Sequence, residues 1–232
     1  RSSDLPHPTP HTPHPVPCSL CHMLPTITPT TIDLAPGTQL RFPGTWEDYE
    51  QLLVKLGDRA SIRMRFRDNQ ILLMAPFPEH GNQADILADL VKALLQHQGR
   101  DWQGFDPITL RKAGMPGVEP DACFYIENYQ AILGKRRLDL SQDPPPDLAL
   151  EIDLTSITDI NDYIPLAVPE VWIYKADTIH IYRFESDRYL EVQTSHIFPN
   201  FPVKETIPQY INRAWQFGSS VALREFVGIL GE

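Results

Sequence analysis

The run Pro144-Pro145-Pro146-Asp147-Leu148-Ala149-Leu150-Glu151-Ile152-Asp153-Leu154 constrains the fold more than any other stretch of the chain. Successive side chains on a strand point to opposite faces, so Leu148, Leu150, Ile152 and Leu154 form one apolar, core-facing row. Asp147, Ala149, Glu151 and Asp153 then share the other face, with Glu151 and Asp153 roughly 7 Å apart along the strand. A second short apolar run, Ala122-Cys123-Phe124-Tyr125-Ile126, is also opened by Pro-Asp, at Pro120-Asp121. On a neighbouring strand, Asp121 would converge with Glu151 on one hard cation such as Mg²⁺ or Mn²⁺. The same residues have a plainer reading. Pro-Asp is ordinary turn chemistry, and acids on the outer face of a strand are usually solvated.

The pattern extends along the chain. Glu119-Pro120-Asp121-Ala122-Cys123-Phe124-Tyr125-Ile126 is followed by Gly134-Lys135-Arg136-Arg137-Leu138-Asp139-Leu140, then by Asp143-Pro-Pro-Pro-Asp147 and its strand through Thr155-Ser156, then by Val168-Pro169-Glu170-Val171-Trp172. In this order and spacing, from about residue 43 to 230, the sequence resembles the Uma2 family of restriction-endonuclease-like proteins, abundant in cyanobacteria. The resemblance implies the PD-(D/E)xK nuclease fold, an α/β (α+β) domain with a central mixed sheet flanked by helices. It implies an endonuclease that hydrolyses DNA phosphodiester bonds at an acidic Mg²⁺ or Mn²⁺ site. Asp121 and Glu151 match the motif acids and would be the metal ligands. Asp153 stands where the superfamily motif has Lys, and would be a further ligand or an orienting group. Relatives also carry an acid or a His near the start of the helix that precedes these strands, which nominates Glu79 and His80. Thr158 to Tyr163, where many relatives place a substitute Lys, contains none. Weak, Mn²⁺-preferring cleavage is therefore expected, with a gain on introducing Lys at 153 or 159. The alternative is a degenerate nuclease fold kept as a nucleic-acid or protein interaction module, and a third reading is a structural dimer with an exposed sheet edge.

Composition sets limits on these readings. The formal charge of −10 argues against a broad, passive grip on DNA, which relies on Lys and Arg to displace counterions. Local basic groups, Lys135-Arg136-Arg137 and Arg63, Arg65 and Arg67, are candidate phosphate contacts, or else simply a solvated loop and strand. No apolar run approaches the 18 or so residues of a membrane span, and no secretory pattern opens the sequence, so a cytoplasmic protein with no membrane partner, assembling as a homodimer, is expected. Three cysteines suit a reducing compartment. Cys18-Ser19-Leu20-Cys21-His22 superficially resembles a haem-attachment or zinc string, but lacks a fourth ligand and a local fold.

Residues 1–41, rich in Pro and Thr and carrying His7, His11 and His14, have no helical or strand period and read as a flexible extension to a domain spanning 42–232. Thr45 caps a helix through Tyr49, Leu52, Leu53 and Leu56 that stops at Gly57. Strands are expected at 61–67 and 70–75 around an Asp68-Asn69 turn. A long helix runs from Pro78 to about Gly99 with a broad apolar stripe. Further strands are expected at 105–112, 121–127, 147–154, 171–175, 178–183 and 188–194, then helices at 207–217 and 219–230. Trp172, Trp215 and Tyr182 are expected in the core or an interface, not as a base-stacking platform.

Overall fold

A computed structural model describes residues 35–56, 62–75, 77–112, 117–154 and 158–231. The expected extension, apart from residues 35–41, lies outside these residues, as do the Cys18–His22 string and Gly57. The first strand, β1 (Gln39–Pro43), reaches into the last three positions of that extension. A truncation after residue 40 would therefore remove the start of a paired strand.

Helix α1 (Trp46–Leu56) begins at a reciprocal cap. The Asp48 amide donates to Thr45 Oγ1 at 3.2 Å, and the Thr45 amide donates to Asp48 Oδ2 at 2.9 Å. Strands β2 (Arg63–Arg67) and β3 (Gln70–Met74) pair across Asp68-Asn69, both at positive φ, the left-handed pair that a two-residue hairpin with native twist requires. β1 pairs on the other side of β3, giving a small antiparallel sheet in the order β1-β3-β2.

Helix α2 (Pro78–His97) follows, and its Ile86, Leu87, Leu90, Val91, Leu94 and Leu95 are all buried. The main sheet then forms from β4 (Gln103–Phe105), β5 (Ala122–Tyr125), β6 (Leu148–Ile152), β7 (Glu170–Lys175), β8 (Thr178–Glu185) and β9 (Arg188–Val192), in that spatial order. Every pairing is antiparallel except β6 with β7. This is the expected mixed, mostly antiparallel sheet with helices packed on it. The predicted strand at 105–112 is not formed. β4 ends at Phe105, Pro107 follows with no N–H to donate, and only Leu110 returns to pair, in an isolated bridge with Val118. Tight turns at Ala176-Asp177 and Ser186-Asp187, all four residues at positive φ, close the β7–β8–β9 meander.

Both faces of the main sheet are covered. On one, Phe124, Leu148, Leu150, Ile152, Trp172 and Ile181 pack against α2, α3 (Val203–Phe217) and α4 (Ser219–Leu230). Trp172 is buried here, whereas Trp215 on α3 is exposed. On the other face, Cys123, Tyr125, Ala149, Val171 and Ile173 join a second apolar cluster with Leu110, Ile132, Tyr163 and Val168. A short 3-10 helix, Ile160–Leu166, supplies Tyr163 and Leu166 to that cover. The plainer alternative, a solvated outer face, is therefore not what forms: that face carries a second core.

The two Pro-Asp openings perform one task twice. The Asp147 carboxylate accepts the Ile126 amide at 2.6 Å and the Glu127 amide at 3.1 Å, just past the end of β5, while Asp121 Oδ2 accepts the Ile152 amide at 2.7 Å at the end of β6. Because β5 and β6 are antiparallel, each Asp closes the end of the partner strand, where the backbone ladder stops. Asp147→Ala is expected to cost about 1–3 kcal/mol by leaving the buried Ile126 N–H without an acceptor, and Asp147→Asn, which retains a carbonyl oxygen, less. Urea unfolding of the two variants checks the order, and equal losses would refute it.

Candidate acidic centre capped by arginines

Asp121 ends the loop into β5 and Glu151 lies near the end of β6, and both point to the same side of the sheet. That side is closed, so Asp121 is 3% exposed and Glu151 1%. An isolated carboxylate in such a place is costly to ionise and requires a cation or several hydrogen-bond donors. The small sheet brings the cations. Alternate residues of β2 share a face, and from that face Arg63 Nη1 pairs with Asp121 Oδ1, Arg65 Nη2 lies 3.4 Å from Glu151 Oε2, and Arg67 Nη2 lies 2.6 Å from Asp159 Oδ2. The basic row is thus neither free for phosphates nor simply solvated. It docks the hairpin on the acids of the main sheet.

Each carboxylate is held from a second direction. Glu151 Oε1 accepts the buried Tyr163 hydroxyl at 2.6 Å, and Arg65 also donates to Thr158 Oγ1 at 3.2 Å. Asp121 has the Ile152 amide on Oδ2 and the Arg63 guanidinium on Oδ1. His80, in the first turn of α2 and 3% exposed, places Nε2 3.5 Å from Asp121 Oδ2 and leaves Nδ1 buried without a partner. Burial lowers the His80 pKa, opposed by the charge of Asp121, so the ring is predominantly neutral at pH 7.

Of the residues nominated from sequence, Asp121, Glu151 and His80 come together. Glu79 is half-buried and accepts a hydrogen bond from the Gln83 amide group at 3.2 Å, within its own helix. Asp153 is buried, and its oxygens accept the Thr158 amide and hydroxyl, at 2.9 Å from Oδ2 and 2.7 Å from Oδ1. Among the described residues, no three His, Cys, Asp or Glu side chains close on a single ion position. Sequence reasoning missed Tyr163, Thr158 and the pairing role of Arg63 and Arg65. The alternation of Arg63, Arg65 and Arg67 was the available signal, but it carries no information about which acids the row would face.

The donor set suits a hard divalent cation in kind. Two carboxylates are what Mg²⁺ commonly draws from a protein, the remaining positions going to water and substrate phosphate.

A family model described as "Uma2: Putative restriction endonuclease" matches residues 46–216, so the chain belongs to the Uma2 family. Among solved structures, it is similar to the crystal structure of a "putative nuclease belonging to DUF820" from Anabaena variabilis, at 12% sequence identity and a TM-score of 0.47, covering 78% of this chain and 99% of that one. No curated protein matches the chain.

Burial pushes the Glu151 carboxyl up from its ordinary value of 4.5 to about 7; Arg65 opposes the rise, the Asp121 charge adds to it, and the Tyr163 hydrogen bond opposes it. A raised folded-state value means that the native protein keeps a proton which the unfolded chain has already released, so stability falls as pH rises from about 4.5 to about 7. Glu151→Gln removes this group, and unfolding free energy measured across that window should fall less steeply with pH than in the parent. An identical slope in both proteins would show that Glu151 is ionised throughout.

Proposed function

We propose that the chain is a divalent-metal-dependent endonuclease acting on DNA, with weak activity that prefers Mn²⁺ to Mg²⁺. The observation that carries this reading is the buried pair Asp121 and Glu151. They converge from the loop into β5 and from β6, each nearly inaccessible to solvent and each facing an arginine of β2, and the sequence resemblance implies that they are the motif acids. Asp121 and Glu151 would hold the cation, which supplies a more acidic bound water and a polarised phosphate.

The protein's own side chains do the rest. The Ile152 amide fixes the rotamer of Asp121, and the Tyr163 hydroxyl fixes that of Glu151, so the pair presents a fixed acceptor geometry without rearrangement. Arg65 keeps a positive charge beside Glu151, where Asp153 has none to offer. A neutral His80 beside Asp121 adds no charge to the site. Glu79 and Asp153 act only indirectly in this scheme, Asp153 by holding the Thr158 segment that Arg65 touches. Lys introduced at 153 would be buried and would forfeit both bonds to Thr158, and at 159 it would face Arg67 in place of the acid now paired there. These neighbours make a simple gain from either lysine harder to obtain than the motif suggests.

A specific observation favours a second reading, a nuclease fold kept as an interaction module: both carboxylates already have arginine partners from the same chain. No helix among the described residues is long and apolar enough to cross a membrane. A cytoplasmic setting, and a homodimer for which the exposed Trp215, Phe217, Val227 and Ile229 of the last two helices offer apolar surface, belong to the same proposal. Slow nicking of plasmid DNA in Mn²⁺, slower in Mg²⁺ and absent in EDTA, is the expected result, with Glu151→Gln lowering the rate at least about a hundredfold. Cleavage that survives this substitution would remove the pair from the reaction, and no cleavage in either metal would favour the module.

A further inference from the structure

The charges at the acidic centre are already balanced. Arg63 and Arg65 face Asp121 and Glu151, one guanidinium to each carboxyl group. A divalent cation entering this closed space would leave an excess of buried positive charge unless one guanidinium moved away. The two arginines differ in how readily they can leave. Arg65 is tied both to Glu151 and to Thr158, whose own amide and hydroxyl are bonded to Asp153. Arg63 has Asp121 as its ion-pair partner without a second anchor of the Thr158 kind, and its side chain, like that of Arg65, is partly exposed, at 22% against 27%. A short swing would take its head group to solvent, while Asp121 stays fixed by the Ile152 amide on its other oxygen.

We propose that Arg63 is an exchangeable counter-charge: it neutralises Asp121 when no metal is bound, and when a divalent cation takes that carboxylate it moves outward to bind a phosphate oxygen of the substrate. Arg63 is then a substrate-positioning residue whose apo partner is the metal ligand itself. The proposal rests on the metal-dependent reading of the site. Metal entry and phosphate binding become linked events, because the cation frees the guanidinium that the phosphate needs. A guanidinium suits both partners, since carboxylate and phosphate present the same pair of oxygens to its planar fork.

Two titrations test this in the full chain. Arg63→Gln should bind Mn²⁺ about tenfold more tightly by calorimetry in the absence of DNA, because the competing charge is gone. The same variant loaded with Ca²⁺ should bind a short mixed-sequence DNA duplex about tenfold more weakly than the parent. Arg63→Lys, which keeps the charge, should lie between the parent and Arg63→Gln in both measurements. Should Arg63→Gln fail to fold, ¹⁵N NMR of the arginine Nε–H groups in the unmodified protein decides: adding Mg²⁺ should move the Arg63 signal to a solvent-exposed position and leave Arg65 in place. Unchanged Mn²⁺ affinity in Arg63→Gln, affinities for Mn²⁺ and DNA that move in the same direction, or an Arg63 signal indifferent to Mg²⁺ would each overturn the exchange. Opposite movements without any DNA cleavage would uphold the exchange while refuting the nuclease activity.

Discussion

Everything at the candidate site follows from the burial of both faces of β6. A strand covered on one side can turn its acids to water. Here the second face is closed by the short 3-10 helix around Tyr163 and by the β1–β3–β2 sheet, so Glu151 and the neighbouring Asp121 must find partners inside the protein. The alternating arginines of β2 are the response to that constraint. They anchor the small sheet to the large one through charge, in a molecule whose apolar clusters otherwise lie on the two faces of the main sheet. The asymmetry of buried ion pairs then makes the arrangement fragile to one-sided change. Forming such a pair contributes little net stability, whereas removing one member strands the other and costs several times more.

The helices and the meander were legible in the sequence because their signals are local. The reciprocal Thr45–Asp48 cap, the apolar stripe of α2 and the positive-φ turns at 68–69, 176–177 and 186–187 are each decided within a few residues. The 105–112 segment shows the limit of that reading: its β-forming side chains were outweighed by Pro107, and only Leu110 recovered a partner. β1 was hidden for the opposite reason. Gln39-Leu40-Arg41-Phe42-Pro43 lies beside a Pro-rich stretch and is stabilised by pairing with β3, a contact that no local period announces.

The site was half legible. Alternation on β6 and the repeated Pro-Asp placed Glu151 and Asp121 on one face, and the resemblance to Uma2 singled them out. The partners were out of reach, because Arg65 and Glu151 are 86 positions apart in the chain and meet only when two sheets pack. Asp153 illustrates the converse error of trusting parity alone. It shares its row with Glu151, yet it lies just past the last residue of β6, where the chain bends and Thr158 captures both oxygens.

The buried acids on this one sheet fall into two kinds according to their partners. Glu170, wholly buried at the start of β7, accepts the Trp172 indole N–H and the Ser195 hydroxyl on Oε1, both at 2.6 Å, and the His196 amide on Oε2 at 2.8 Å. Asp147 likewise accepts two backbone amides. In both cases the donors belong to the folded framework and cannot leave without unfolding part of it, so the charge is permanently satisfied and inert. Asp121 and Glu151 are different. Each has one framework donor and, for the rest, depends on an arginine at the end of a long side chain that is still partly in contact with solvent, 22% exposed for Arg63 and 27% for Arg65. A protein that needed these two carboxylates only for its stability could have surrounded them with amides and hydroxyls, as it does at Glu170. Neutralising them with side-chain cations at the edge of solvent leaves their charge less permanently satisfied than that of Glu170, and it is this difference in partners, more than burial, that sets the proposed site apart from the other buried acids.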